Sequence, residues 1–252
     1  MKSVRENNGF SLVEVLMAVG ILAIGMTFIA GIFPAGIYFA TIATEQTIAA
    51  VAADEAFAKI RLYGIDFDSP QWSANPNIAC VDYNEVSPVP INPSEFAYPS
   101  TGTGAAQYYW SALCRRVEPN SQLVQVTVFV CRKVGTGTTY PDPANPFDTD
   151  FWVLYPRPVP VEVLPCVDDR ELSINDVVSG PYEQTFINDG YTIVDNLTGQ
   201  IYRVLKRDPA RPDTITLNRP WRGGGGYVWV VPPAVSGGRE PCIAVYQKVI
   251  RF

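Results

Sequence analysis

The chain has 252 residues, of which 47% are aliphatic or aromatic and only 17% charged, with a net charge of −6. It has no histidine, which excludes Ser-His and Cys-His dyads, and its acidic balance offers no electrostatic footprint for nucleic acid. The apolar excess is uneven: no charged residue stands between Glu14 and Glu45, a run longer than the ~20 residues that carry a helix across a bilayer.

Lys2 and Arg5 precede this run, and the first charge after it is Glu45. Positive-inside reasoning places the short N-terminus in the cytoplasm and the large C-terminal part across the membrane. A secretory signal peptide is the alternative, with small residues in "AGIYFATIATE" offering a cleavage site. Glu14 argues against it, because an acid at the head of a signal core serves no purpose there. The stretch "GFSLVEVLMAVGILAIG" resembles the N-terminus of type IV prepilins and type II secretion pseudopilins, in their minor-pilin and minor-pseudopilin branch. The matching elements are a short basic leader, Gly9, apolar Phe10, Glu14 as the fifth residue from Phe10, and an unbroken apolar run. The resemblance rests on these N-terminal residues alone. It implies cleavage between Gly9 and Phe10 by a prepilin peptidase and N-methylation of Phe10. It further implies assembly with other pilins or pseudopilins on an inner-membrane platform, with Glu14 paired to a neighbouring subunit's amino terminus. A lone carboxylate in hydrocarbon is costly, and a methylated amine keeps its charge, so each group needs the other. Glu14 is also a departure from the tip-most pseudopilin, which lacks this acid.

The helix is expected to continue past the bilayer. In "TEQTIAAVAADEAFAKIRLYG", Ala49, Ala53, Ala56, Phe57 and Ile60 share one side, Glu55 and Lys59 form an i, i+4 pair, and Gly64 is a C-terminal stop. From Phe10 to Tyr63 the helix would run about 80 Å. Pro34, between Gly31 and Gly36, is expected to kink or loosen it. The domain reading is therefore a leader over 1–9 that is removed, an N-terminal helix over 10–63 that spans the membrane to about residue 43, and an extracytoplasmic β-rich head over 64–252.

The head holds all but one of the 22 prolines. Leu62 to Thr103 reads as a proline-studded connector too long to lack structure, holding short unassigned strands. Strict alternation of Val124, Val126, Val128 and Val130, with a turn at Pro119-Asn120-Ser121, predicts a hairpin of Gln107–Val117 and Leu123–Arg132. That turn sets Cys114 opposite Thr127 rather than Cys131. "FWVLY" reads as a short strand and "VPVEVLP" as an edge strand. "GYTIVDNLTGQIYRVLK" reads as a hairpin around Asn196–Gly199, and "TITLN" with "YVWVV" as a third hairpin flanking "RPWRGGGG". "CIAVYQKVIRF" would close the sheet. The fold class is α+β, a long N-terminal helix docked on antiparallel strands, in agreement with the pilin fold that the N-terminus implies.

The five cysteines, Cys80, Cys114, Cys131, Cys166 and Cys242, form no CxxC pair. In an oxidising compartment they allow two disulfides and one free thiol. The alternative is buried thiols acting as small hydrophobes. "RGGGGYV" lacks the Lys and Ser/Thr of a phosphate loop, and "VDDRE" and "DTDF" lack metal-ligand spacing, so no catalytic residue, metal or cofactor is expected. "NLT" fits a glycosylation pattern but falls in a turn. Three functions follow: a filament subunit, a membrane-tethered surface adhesin exported as a prepilin, and, with least support, an anchored extracytoplasmic hydrolase.

Overall fold

The computed structural model describes residues 11–74, 79–100, 106–118, 121–135, 137–142, 152–175, 183–224, 226–235 and 240–252. The chain divides into two compact units between Thr47 and Ile48, inside its one long helix. That helix, α1, runs from Leu12 to Tyr63 and passes through Pro34. It ends where expected: Gly64 takes φ of 82°, and its N–H donates to the Ile60 carbonyl at 2.9 Å. Only glycine takes that left-handed cap without strain.

In the first unit the helix surface is apolar all round and exposed, from Leu12 through Phe33 to Phe39. A helix apolar on every side belongs in the core of a large protein or in lipid. The threonines fit the second environment. Thr27, Thr41, Thr44 and Thr47 each donate their hydroxyl to the carbonyl four residues earlier, at 2.8–2.9 Å. None of these four hydroxyls is left to be desolvated without a partner.

The second unit is a helix-sheet-barrel stack. After α1 come α2 (Gln71–Ala74), β1 (Val81–Asp82), α3 (Tyr83–Val86), β2 (Ala97–Tyr98), β3 (Tyr108–Arg116) and β4 (Leu123–Arg132). β5 (Tyr140–Pro141) and β6 (Trp152–Val153) pair with each other. β7 (Val159–Pro165), β8 (Glu171–Ile174), β9 (Thr192–Asp195), β10 (Ile201–Arg207), β11 (Thr214–Leu217) and β12 (Gly226–Val230) follow, and β13 (Cys242–Arg251) ends the chain. β1, β3, β4 and β13 form an antiparallel sheet in that order, with β2 also on β3. The remaining long strands close into a six-stranded barrel, β10-β11-β8-β7-β12-β9.

One face of the sheet carries Trp110, Ala112, Val126 and Val128 and packs on Ala49, Ala53, Ala56, Phe57 and Ile60 of α1, the helical side expected from spacing. Lys59 joins Glu55 at 3.0 Å and Glu95 at 2.9 Å, so the i, i+4 pair gains a partner from the connector. The opposite face carries Leu113, Phe129, Cys131 and Cys242 and packs on Val194, Trp229 and Val231, at the base of the barrel. Polar side chains of this face are paired, and Gln125 and Thr127 among them are buried. Thr127 accepts from Gln247 Nε2 at 2.9 Å, and the same Nε2 donates to the Gly199 carbonyl at 2.8 Å. Asn196 Oδ1 accepts from the Cys80 N–H and from Trp229 Nε1. A one-faced sheet would leave these polar groups in water; here the barrel covers and pairs them.

The differences from sequence expectation have one cause, the barrel. "VPVEVLP" is not an edge strand: β7 is paired on both sides, with β8 and β12. "TITLN" and "YVWVV" are not a hairpin: β11 lies between β10 and β8, and β12 between β7 and β9. Glu171–Ile174, where the sequence reading placed no element, is a strand of the same closure. Two predicted hairpins do form, β3 with β4 and β9 with β10, the latter around Asn196–Gly199 with Gly199 at φ of 69°. In the first, Cys114 opposes Val126, one residue from the expected Thr127, and Cys131 opposes Tyr109. The short strands expected in the connector are β1 and β2, joined by helical turns.

Candidate functional site

The candidate processing site, Gly9 and Phe10, lies outside the described residues, together with the leader over 1–9. The description begins just beyond it. The Ser11 carbonyl accepts from the N–H groups of Glu14 and Val15 at 3.0 and 3.2 Å, so helical bonding starts at once. Glu14 sits in the first turn of α1, exposed among exposed Leu12, Val13 and Leu16. An acid in a first helical turn is favoured by the helix dipole. Its surroundings are otherwise wholly apolar, which leaves its charge to be met from outside this chain's own described residues. Further along, Ala23, Ile24, Thr27, Phe28, Gly31 and Ile32 line a shallow open groove on the helix. No atom lies within 4 Å of where a Cβ would stand on Gly20, Gly25, Gly31 or Gly36.

Residues 4–30 match the prokaryotic N-terminal methylation motif. The chain carries the prepilin-type signature. The match takes in Gly9, Phe10, Glu14 and much of the exposed apolar stretch, and marks the chain as pilin-like or pseudopilin-like and exported. No curated protein and no solved structure matches it. The prepilin-type segment is thus a shared device, and the helix that follows is long and apolar enough to cross a membrane.

The chemistry-bearing groups of the head are engaged structurally. In "VDDRE", Asp168 accepts from the Arg170 N–H, and Glu171 meets Arg211 at 3.3 Å, which also holds Asp208 at 3.0 Å. Among the described residues, no group of three or more His, Cys, Asp or Glu could hold a metal ion. "DTDF" lies outside them. Gly223 and Gly224 of "RPWRGGGG" serve packing. A Cβ on Gly223 would stand 2.2 Å from Trp221 Cζ2 and 2.6 Å from Asp195 Oδ1, and one on Gly224 2.0 Å from Leu197 Cδ2. Asn196 of "NLT" is buried with its amide engaged, so its side chain is no acceptor for a glycan. Asp82 and Arg157 form a buried ion pair at 2.6 Å that pins the segment before β7 to the sheet. Burial draws the Arg157 guanidinium down, but Asp82 and then Tyr155 outweigh it, and the net shift is upward.

The cysteines stand as free thiols. Burial pushes Cys80 up to about 12 and holds Cys114 and Cys131 well above the ordinary thiol value. Cys166, less buried, is raised by the same cause. At neutral pH burial therefore keeps these thiols in their protonated form. What sequence missed is their placement on two faces of one sheet, since register across a long insertion has no local signal.

Proposed function

We propose that the chain is a structural subunit, a minor one, of a type IV pilus or a type II secretion pseudopilus, and not an enzyme. A prepilin peptidase cuts between Gly9 and Phe10, removes the leader over 1–9 and methylates Phe10. The helix over 10–63 spans the inner membrane to about residue 43, with its N-terminus cytoplasmic. The head over 64–252 is extracytoplasmic and becomes part of a periplasmic or surface filament, built with other pilins on the assembly platform. Pro34 loosens the helix where it must adapt to that packing.

The observation that carries the reading is the methylation motif running without a break into a helix whose apolar surface is exposed on every side. Such a surface is satisfied by lipid before assembly and by neighbouring helices after it. Glu14 supplies the register: outside a filament it lacks a cation, and in one it meets a neighbour's Phe10 amino group. The barrel supports a minor role, because it adds bulk beyond the helix and sheet that a repeating shaft subunit needs. It also favours a second reading, a tethered surface adhesin, in which the barrel is the binding module.

N-terminal analysis of membrane-derived protein should find N-methyl-Phe10 first; a chain beginning near Ala40 would overturn the reading in favour of a signal peptide. Glu14→Gln and Glu14→Ala should still insert, and the Gln variant should still be cleaved. Both should co-purify poorly with partner pilins, because a stranded charge in the apolar interior costs about 3–5 kcal/mol. Normal incorporation of both at matched expression would favour the tethered adhesin.

A further inference from the structure

The barrel is inserted into the sheet. The chain leaves β4 at Arg132, builds β5 to β12, and returns at Pro241 to run beside β4 as β13. At this neck the Arg132 N–H donates to the Pro241 carbonyl at 2.8 Å. Cys131 and Cys242 are register partners there. The pairing depends on an irregularity. Along the rest of β13 the register sets Ala244 against Val130 and Arg251 against Leu123. Continued unchanged, it would set Cys242 against Arg132 and Ile243 against Cys131. The register shift between Cys242 and Ala244 brings the two cysteines opposite each other. Bulges recur where a strand must re-aim a side chain.

We propose that Cys131 and Cys242 form a disulfide that closes the neck of the inserted barrel. Directly opposed residues in antiparallel strands have Cα atoms about 4.5–5.5 Å apart, within the span a disulfide bridges. Both side chains lie on the barrel-facing side of the sheet, in the same apolar cluster, and the two thiols are near enough to interact directly. The other three cysteines are excluded by position. Cys114 faces α1 from the opposite side of the sheet. Cys80 precedes Val81, which pairs with Cys114, and Cys114 pairs with Val126, five residues along β4 from Cys131. At ~3.4 Å per residue that offset is about 17 Å. Cys166 follows β7 in the barrel, beside Glu171.

The step balances with a disulfide-bearing oxidant, a protein dithiol oxidase or glutathione disulfide. Cys242 is the more exposed thiol and reacts first. Its thiolate attacks one sulfur of the oxidant, forming a mixed disulfide and releasing one thiolate. Cys131 then loses its proton and attacks the Cys242 sulfur, releasing the second. Two electrons and two protons pass to the oxidant, which becomes a protein dithiol or two molecules of glutathione. The closed loop holds the whole barrel, so pulling on the barrel cannot strip β13 from the sheet while the bond is intact.

In the cell the bond rests on the extracytoplasmic placement proposed above, and the test separates the two. Full-length chain, reduced in detergent and then equilibrated with glutathione disulfide, is alkylated and digested with trypsin without reduction. The expected product links the peptide over 117–132 to that over 240–248. Cys166→Ser leaves that link intact, and Cys242→Ser abolishes it. The oxidised chain should resist proteolysis within β13 ~10-fold longer than Cys242→Ser. A linkage to another cysteine, or both thiols alkylated after equilibration, overturns the pairing. If the link forms in vitro but membrane-derived protein has both thiols free, the pairing stands and the extracytoplasmic placement fails.

Discussion

Two stretches of the same helix use apolar residues in opposite ways. From Leu12 to Phe39 they point in every direction and are exposed, Phe28 and Phe33 among them. From Ala49 to Ile60 most of them keep to one side and are buried, with Ile60 fully enclosed and Lys59 paired beside them. Among the described residues nothing buries the first stretch, so its stability depends on what surrounds it. The second has its partner, the sheet, and is part of the head's core. A single helix therefore carries both a stretch apolar on every side and a stretch with one buried side.

Removing the first stretch gives the largest effect. A chain beginning at Ile48 should partition entirely to the soluble fraction, keep a β-rich circular dichroism spectrum and melt cooperatively. The full chain should require detergent. A shortened chain that aggregates or is disordered would mean that the head depends on residues before Ile48, and would break the comparison.

Point substitutions in the two stretches sharpen it. Ile60→Ala removes a fully buried side chain and should destabilise the head by about 2–5 kcal/mol. Ile29→Ala removes a side chain that is 68% exposed and should change head stability by less than about 0.5 kcal/mol. All five tryptophans lie beyond Gly64, so indole fluorescence during urea unfolding of the full chain in detergent reports on the head alone. Equal effects of the two substitutions would mean that the helix behaves as one unit.

How far these features were legible differs between the stretches. The apolar helix and the prepilin-type signature were legible, because an uncharged run and the residues Gly9, Phe10 and Glu14 sit in consecutive sequence. The buried side of the helix and the Gly64 stop were also legible, since 3.6-residue spacing and a left-handed cap are local signals. The β3–β4 and β9–β10 hairpins followed for the same reason. The barrel was not legible. Its strands are four to seven residues long, and β7 pairs with β12 across most of the barrel. Gln125 and Thr127 alternate with valines on β4 and read as a solvent face, but both are buried, because a separate module covers them. The bulge that aligns Cys131 with Cys242 carried no sequence signal, since Ile243 suits a regular strand equally well.

The smallest predicted effect concerns alkaline pH, and it belongs to the head, because all five cysteines lie beyond Gly64. Burial holds the thiols of Cys80, Cys114 and Cys131 above the ordinary value of 9.0, Cys80 to about 12. As pH rises through 9.0, the unfolded chain releases these protons while the folded chain keeps them. The unfolded state then binds fewer protons, so stability falls with rising pH. The loss is absent well below pH 9 and, for Cys80, continues until its folded value near 12 is reached. At pH 9 each reduced thiol accounts for about 0.4 kcal/mol, the free energy of half-ionisation in the unfolded chain alone. Urea unfolding of the reduced protein at pH 7 and pH 9 measures it. Cys80→Ala should lower stability at both pH values through lost packing, but its deficit should shrink by about 0.4 kcal/mol at pH 9. Oxidation should remove the share of Cys131, since a bridged sulfur has no proton to lose. A pH dependence that is the same in wild type and Cys80→Ala would mean that the Cys80 thiol is not shielded from water, and that the barrel does not seal this face of the sheet.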